Sequence, residues 1–160
     1  MVCLMDAIPD YFPFVEGRVA TIECAIASSI RHQVPANLLL AIQEAEGGHN
    51  GLAKRNRNGT IDHGTMQWNS KTLTDYRTYG ITARHVSHDG CYALDLAAYK
   101  IAGHLAEPSG TFWERAAIYH SRSPGPNLEY QHKIKPLSKK WGNILRSRYS
   151  GETFETFSMK

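Results

Sequence analysis

Pro35-Ala36-Asn37-Leu38-Leu39-Leu40-Ala41-Ile42-Gln43-Glu44-Ala45-Glu46-Gly47-Gly48 spells out one helix from start to stop. Proline suits the first helical turn, where a backbone amide has no intrahelical acceptor to find. Leu38, Leu39 and Ile42 recur at helical spacing. Gly47-Gly48 is helix-stop chemistry, since glycine reaches the left-handed backbone region without a side-chain clash. With Leu38 at zero and about 100° per residue, Ile42 falls near 40°, Leu39 near 100° and Glu46 near 80°. Glu46 thus stands between two apolar ridges in the final turn. Glu44, near 240°, lies beside Leu40 on the other side and reads as a solvated charge.

Three effects act on Glu46. Desolvation beside Leu39 and Ile42 disfavours its anion. The negative end of the helix dipole disfavours it as well. No lysine or arginine lies within one turn on the same helix to compensate. All three favour a protonated acid near neutral pH, which is what a general acid in glycoside cleavage requires. Geometry alone leaves a second reading open, a helix-end glutamate that reaches out into water.

Working outward, helical patterning covers most of the chain. Val19, Ile22, Ile26 and Ile30 mark a helix before the quoted one, and Cys91, Leu94, Ala98, Ile101 and Leu105 mark one after it. Pro108-Ser109-Gly110 ends the latter, and Thr111-Phe112-Trp113-Glu114 fits a capping box opening a helix to about Tyr119. Ser123-Pro124-Gly125-Pro126 reads as a break. Asn127 then caps a further segment, interrupted at Pro136 and continuing through Leu137, Trp141 and Leu145 to about Arg148. The expected architecture is a mainly α domain of about five or six helices over residues 15–150, with a tail at 151–160. Residues 47–69 interrupt it as a long loop, with a small hairpin around Asn58-Gly59.

Composition agrees with one domain. The chain has 160 residues, 42% hydrophobic and 21% charged, enough for a core and too apolar for a disordered segment. No apolar run approaches the roughly 18–20 residues of a membrane span. A net charge of +3, scattered along the chain, does not mark a nucleic-acid protein. The N-terminus lacks a basic start followed by an apolar stretch, so no secretory signal is visible in it. Three cysteines allow one pair and a leftover, or no pair.

Two further segments hold candidate binding groups. The loop contains Asn56, Asn58, Asp62, Gly64, Met66, Gln67, Trp68 and Asn69, a concentration of amides, a thioether and an indole that suits sugar hydroxyls and mildly apolar sugar faces. Gly64 would let backbone approach a ligand closely. A turn-rich loop with a buried Met and Trp is the plainer reading. Ala117-Ile118-Tyr119-His120-Ser121 offers Tyr119 to an acid or a sugar, the plainer reading being a packed tyrosine with a wet tip. His85-Val86-Ser87-His88, and His49 with His63, lack zinc-protease spacing, so no metal site and no cofactor is expected.

These segments in this order, Leu38 to Gly48, Asn56-x-Asn58-Gly59-Thr60-x-Asp62-x-Gly64-x-Met66-Gln67-x-Asn69 and Ile118-Tyr119-His120-Ser121, resemble the lytic transglycosylases. These have a lysozyme-like catalytic domain of the goose type, and the likeness is to the small members attached to secretion, conjugation and pilus systems. It spans roughly residues 22–134. The resemblance implies that Glu46 is the catalytic acid and that Gly64-Thr65-Met66-Gln67, with Asn69, lines the sugar cleft, Thr65 replacing an apolar residue. It implies that Tyr119 lies near the acid. Histidine at 120 replaces the usual asparagine, which puts the part played by His120 in doubt. Tyr130 matches a downstream tyrosine more weakly. Asn58 and Asp62 are expected to support the loop by hydrogen bonding. Cys24 and Cys91 match positions that pair in small members, which implies a disulfide; a buried free thiol at Cys91 is the other reading, and Cys3 is left unpaired.

The implied substrate is the peptidoglycan glycan strand and the implied compartment the periplasm or cell envelope, where a disulfide persists. The implied reaction cleaves the β-1,4 bond between N-acetylmuramic acid and N-acetylglucosamine without water and leaves a 1,6-anhydro end. Components of a secretion or pilus apparatus are the implied protein partners. Two other functions fit the same residues: a hydrolytic muramidase using Asp62 as second carboxylate, and a glycan-binding subunit of such an apparatus that has lost catalysis.

Overall fold

The computed structural model describes residues 13–149; Cys3 and the expected tail at 151–160 lie outside them. Among the described residues are seven α-helices, one 3-10 helix and a small sheet. The chain is a mainly α single domain, as the periodicity indicates.

Helix α1 (Ile22–His32) opens on a capping box at Thr21, whose hydroxyl accepts from the Cys24 amide at 3.1 Å. Its inward face agrees only in part with the expected one: Ile22 and Ile26 are half-buried against the core. Cys24, Ala25, Ser28 and Ser29 are buried, whereas Val19 precedes the helix and Ile30 is exposed. Small residues let α1 approach α5 closely, which the larger isoleucines would prevent.

Helix α2 (Ala36–Glu46) has Pro35 at its N-cap and Gly47 at φ 65° as C-cap. Leu38, Leu39, Leu40, Ala41 and Ile42 are all buried. A helix enclosed around most of its circumference is central rather than peripheral. α1, α5 and α7 pack against it.

The expected loop folds into three antiparallel strands, β1 (Ala53–Arg55), β2 (Ile61–His63) and β3 (Trp68–Asn69), in that order. Lys54 pairs with Asp62, and Asp62 with Asn69. Asn58 shapes the β1–β2 turn, its Oδ1 accepting from the Thr60 amide at 3.0 Å and the Thr60 hydroxyl at 2.7 Å. Three elements without a clear pattern follow: α3 (Ser70–Leu73), the 3-10 helix Thr74–Tyr79 and α4 (Ala83–His88).

Helix α5 (Gly90–Leu105) buries Cys91, Leu94, Ala98 and Ile101. Asp89 caps it and is itself fully buried, accepting from the Tyr92 amide and from both Arg18 Nε at 2.9 Å and Nη2 at 2.6 Å. Helix α6 (Phe112–Ala117) starts with the expected capping box: the Thr111 amide donates to Glu114, and the Glu114 amide to Thr111.

The Pro-Gly-Pro segment corrects the expectation of a break. It is the first turn of α7 (Pro124–Arg148), one uninterrupted helix of 25 residues with Ser123 at its N-cap. Proline costs nothing in a first turn. Pro136 lies inside this helix without ending it. Both Pro136 and His132 are exposed, so the carbonyl left without an amide partner can be hydrated. Asn127 is not a cap; buried in α7, it donates to the carbonyls of Glu114 and Ser121 and ties α7 to α6.

Cys24 and Cys91 form a disulfide between α1 and α5, with Cα atoms 5.7 Å apart and a sequence separation of 67. The free-thiol reading of Cys91 is thereby set aside. Closing a loop of that length restricts the unfolded chain, so changing both cysteines to serine should cost about 3 kcal/mol. Chemical denaturation of the wild type under oxidising and reducing conditions, beside the double variant, measures this; equal midpoints would contradict it.

Candidate active site

Four parts of the fold meet at one open cleft of about 600 Å³. The C-terminus of α2 supplies Glu46. The sheet supplies Lys54, Asp62, Gln67, Trp68 and Asn69. α5 supplies Lys100, and the α6–α7 region supplies Tyr119, His120, Tyr130 and Lys133.

Glu46 is half-buried, as the helical wheel places it, and its carboxyl is held above the usual carboxylate range. Desolvation is the largest cause, and the neighbouring Asp62 charge adds to it. Tyr130 opposes it, its hydroxyl donating to Glu46 Oε1 at 2.5 Å. Lys133 and Lys100 oppose it too. The compensating cations that α2 lacks are brought by α5 and α7. Lys133 also donates to the Ala45 carbonyl at 2.5 Å, an acceptor left over at the end of α2. Desolvation still outweighs these neighbours, so the acid retains its proton to higher pH than a free glutamate. Glu44 has the opposite environment: exposed, bonded to Lys140 at 2.5 Å and to Trp141 Nε1 at 2.7 Å, and shifted downward.

Both tyrosines line the cleft beside Glu46, but they make different hydrogen bonds. Tyr119 lines the cleft, but its hydroxyl donates to the Met66 carbonyl at 2.8 Å. The tyrosine bonded to Glu46 is Tyr130. His120 stacks on the Tyr130 ring, centroids 4.7 Å apart and planes 7° from parallel, which gives the histidine a positioning contact. Burial of its ring keeps His120 neutral to lower pH than usual.

Within the sheet, Asp62 accepts from Asn56 Nδ2 and Asn69 Nδ2, each at 2.8 Å. Asn69 also caps α3 through the Lys71 amide. Gln67, at φ 51°, lines the cleft while its side-chain amide donates to the Gly64 carbonyl at 2.9 Å.

Two expected cleft residues are elsewhere. The Met66 side chain is fully buried in the core and contributes only its carbonyl. Gly64 does not line the cleft. At φ 67° it packs on α4, where a Cβ would stand 2.1 Å from the Val86 carbonyl oxygen. Asn58 is likewise confined to its turn.

Lys100 and Lys133 are the functional candidates that the sequence did not reveal. Lys100 occupies an apolar-looking helix and Lys133 a polar one, and neither sits in a motif. No group of three or more metal-ligating side chains comes together among the described residues. His85 instead accepts from the Thr82 amide, and His63 contacts Ser87. None of the described helices is long and apolar enough to cross a membrane.

The chain is similar to Protein IpgF of Shigella sonnei and to Protein IpgF of Shigella flexneri. Each is 30% identical over 100 residues, covering 62% of this chain and 65% of the relative's length. The match thus spans just under two thirds of these curated relatives. No protein-family model matches the chain.

The Tyr130 bond yields a test of the acid's environment. Its hydroxyl favours the Glu46 anion, so Tyr130→Phe should raise the acid's pKa further. Carbon-13 carboxyl titration followed by NMR should show the Glu46 transition moving to higher pH in the variant; an unchanged or lower midpoint would remove Tyr130 from this role.

Proposed function

We propose that the chain is a peptidoglycan lytic transglycosylase that cleaves the bond between N-acetylmuramic acid and N-acetylglucosamine and leaves a 1,6-anhydro end. The observation that carries this reading is Glu46: one desolvated carboxyl, raised in pKa, on the wall of an open cleft of about 600 Å³. Tyr130 occupies Oε1, which leaves Oε2 to carry the proton. Glu46 donates that proton to the glycosidic oxygen as the bond to the muramic acid C1 breaks. Positive charge develops at C1, and the carboxylate formed is stabilised by Tyr130, Lys133 and Lys100. Glu46 then takes the proton of the 6-hydroxyl as that oxygen bonds to C1, which closes the anhydro ring and restores the acid.

Because the nucleophile belongs to the substrate, one carboxyl suffices. Asp62 supports this view, since both of its oxygens are engaged by asparagine amides. A hydrolase reading keeps Asp62 as the second carboxylate in the same cleft. Mass spectrometry of fragments released from purified sacculi separates the two: anhydro ends support the transglycosylase, and reducing ends the hydrolase.

The reading places the chain in an oxidising cell envelope, in keeping with the Cys24–Cys91 disulfide. Its proposed role there is local opening of the wall for a secretion, conjugation or pilus machine, whose components would be its protein partners.

A further inference from the structure

Lys100 is the unusual group of this cleft. Its neighbours on α5, Leu96, Ala97, Ala98 and Ile101, are fully or almost fully buried, yet a lysine occupies the turn that reaches the cleft. Its ammonium lies 4.7 Å from the centroid of the Tyr119 ring and 5.3 Å from that of Trp68. Among the described residues it forms no ion pair; Glu46 acts on it only at longer range. The other charges that line the cleft are Lys54, Lys133, Glu46, Asp62 and Glu129. Asp62 is held by Asn56 and Asn69, Glu46 by Tyr130, and Glu129 is exposed on α7.

The ammonium is desolvated against two aromatic faces, and the charge that compensates it is that of Glu46 at longer range. Burial makes its charged form costly and lowers its pKa. An anionic group of the ligand would remove that cost and gain charge-assisted hydrogen bonds. Trp68 and Tyr119 fix the ammonium at the wall, so the anion must lie on the sugar itself or very close to it.

Resting on the glycan reading above, we infer that Lys100 is a specificity-determining residue that binds a carboxylate carried by the muramyl residue beside the scissile bond. Two sources present that chemistry: the lactyl carboxylate of a muramic acid without its peptide, and the carboxylates of an attached stem peptide. The short reach of the enclosed lysine favours the lactyl group.

Binding to the full-length Glu46→Gln protein tests this without depending on turnover. Titration calorimetry would compare three hexasaccharides: chitohexaose, which is neutral, alternating glycan with free lactyl carboxylates, and the same glycan carrying stem peptides. The free-lactyl glycan should bind about tenfold tighter than chitohexaose, and the difference should shrink with added salt. Lys100→Met in the same background should remove that preference, and Lys100→Arg should retain it. Tighter binding of the peptide-bearing glycan alone would support Lys100 as the reader and assign the anion to the peptide. Equal affinities, or a preference that survives Lys100→Met, would overturn the inference and leave the proposed reaction standing. Binding of none of the three would overturn both.

Discussion

Glu46→Gln should reduce the release of fragments from purified sacculi by about a thousandfold or more, the usual scale for loss of a general acid. Glutamine keeps the size of the side chain and an oxygen that accepts from Tyr130 at the same position. The variant should therefore fold, with an unchanged disulfide and cleft. The pH dependence of the wild type carries a matching sign. The active form is the protonated acid, so activity should be full below the Glu46 pKa and fall as pH rises through it. Because that pKa is raised, the fall lies above the normal glutamate range. Turbidity loss and mass spectrometry of soluble products measure both effects. Undiminished release by the folded glutamine variant would exclude Glu46 as the acid. Equal absence of products from wild type and variant would instead support a glycan-binding subunit without catalysis.

Gly64→Ala should have the largest effect on stability. The position has φ 67°, and an added Cβ would stand 2.1 Å from the Val86 carbonyl oxygen and 2.9 Å from Ser87 Cα. Both contacts are with backbone, which cannot rotate away as a side chain can. The same turn is tight on its other side: the Gly64 carbonyl oxygen lies 2.0 Å from where a Cβ on Gly48 would be. Alanine at 64 must therefore push the turn away from α4, toward the close approach at Gly48. We expect a loss of about 4 kcal/mol or more, and a Tm lower by roughly 10 °C or more. Gly59→Ala is the informative companion. It has φ 84° but nothing within 4 Å of the added Cβ, so only the backbone term of about 1–2 kcal/mol applies. If thermal melts show equal losses for the two variants, close packing at Gly64 is not its reason for being glycine.

How much of this was legible depended on whether the signal was local. The stop of α2 and the inward face of Glu46 follow from spacing and two glycines, and the structure has both. The capping box at Thr111 is equally local. The Pro-Gly-Pro segment was misread because a proline ends one helix or begins another with the same residues, and only the packing of Asn127 against α6 shows which. The inward face of α1 was only partly legible: Ile22 and Ile26 pack against the core, but the residues buried most deeply are Cys24, Ala25, Ser28 and Ser29. Small polar residues carry no hydrophobic periodicity to detect.

The site divides in the same way. Sequence placed Glu46 at the end of a buried helix and brought Asp62, Gln67 and Asn69 under suspicion as a polar loop. It offered Tyr119 to the acid or a sugar and gave Tyr130 no partner, because a contact across 84 positions leaves no local signal. The fold chose Tyr130 and turned Tyr119 toward the Met66 carbonyl. It also turned the Met66 side chain into the core and Gly64 onto α4.

By itself, then, the sequence determined a mainly helical chain, the helix that ends in Glu46 and the polarity of the segment that follows. Those depend on contacts within a few residues, where spacing, caps and glycines act directly. Only the tertiary structure decided the electrostatic balance on Glu46. Its desolvation comes from helices packed around α2, and the groups that oppose it, Tyr130, Lys133 and Lys100, arrive from α7 and α5. Coulombic and hydrogen-bond terms act through space, so a residue distant along the chain can govern an acid that its own helix would leave uncompensated.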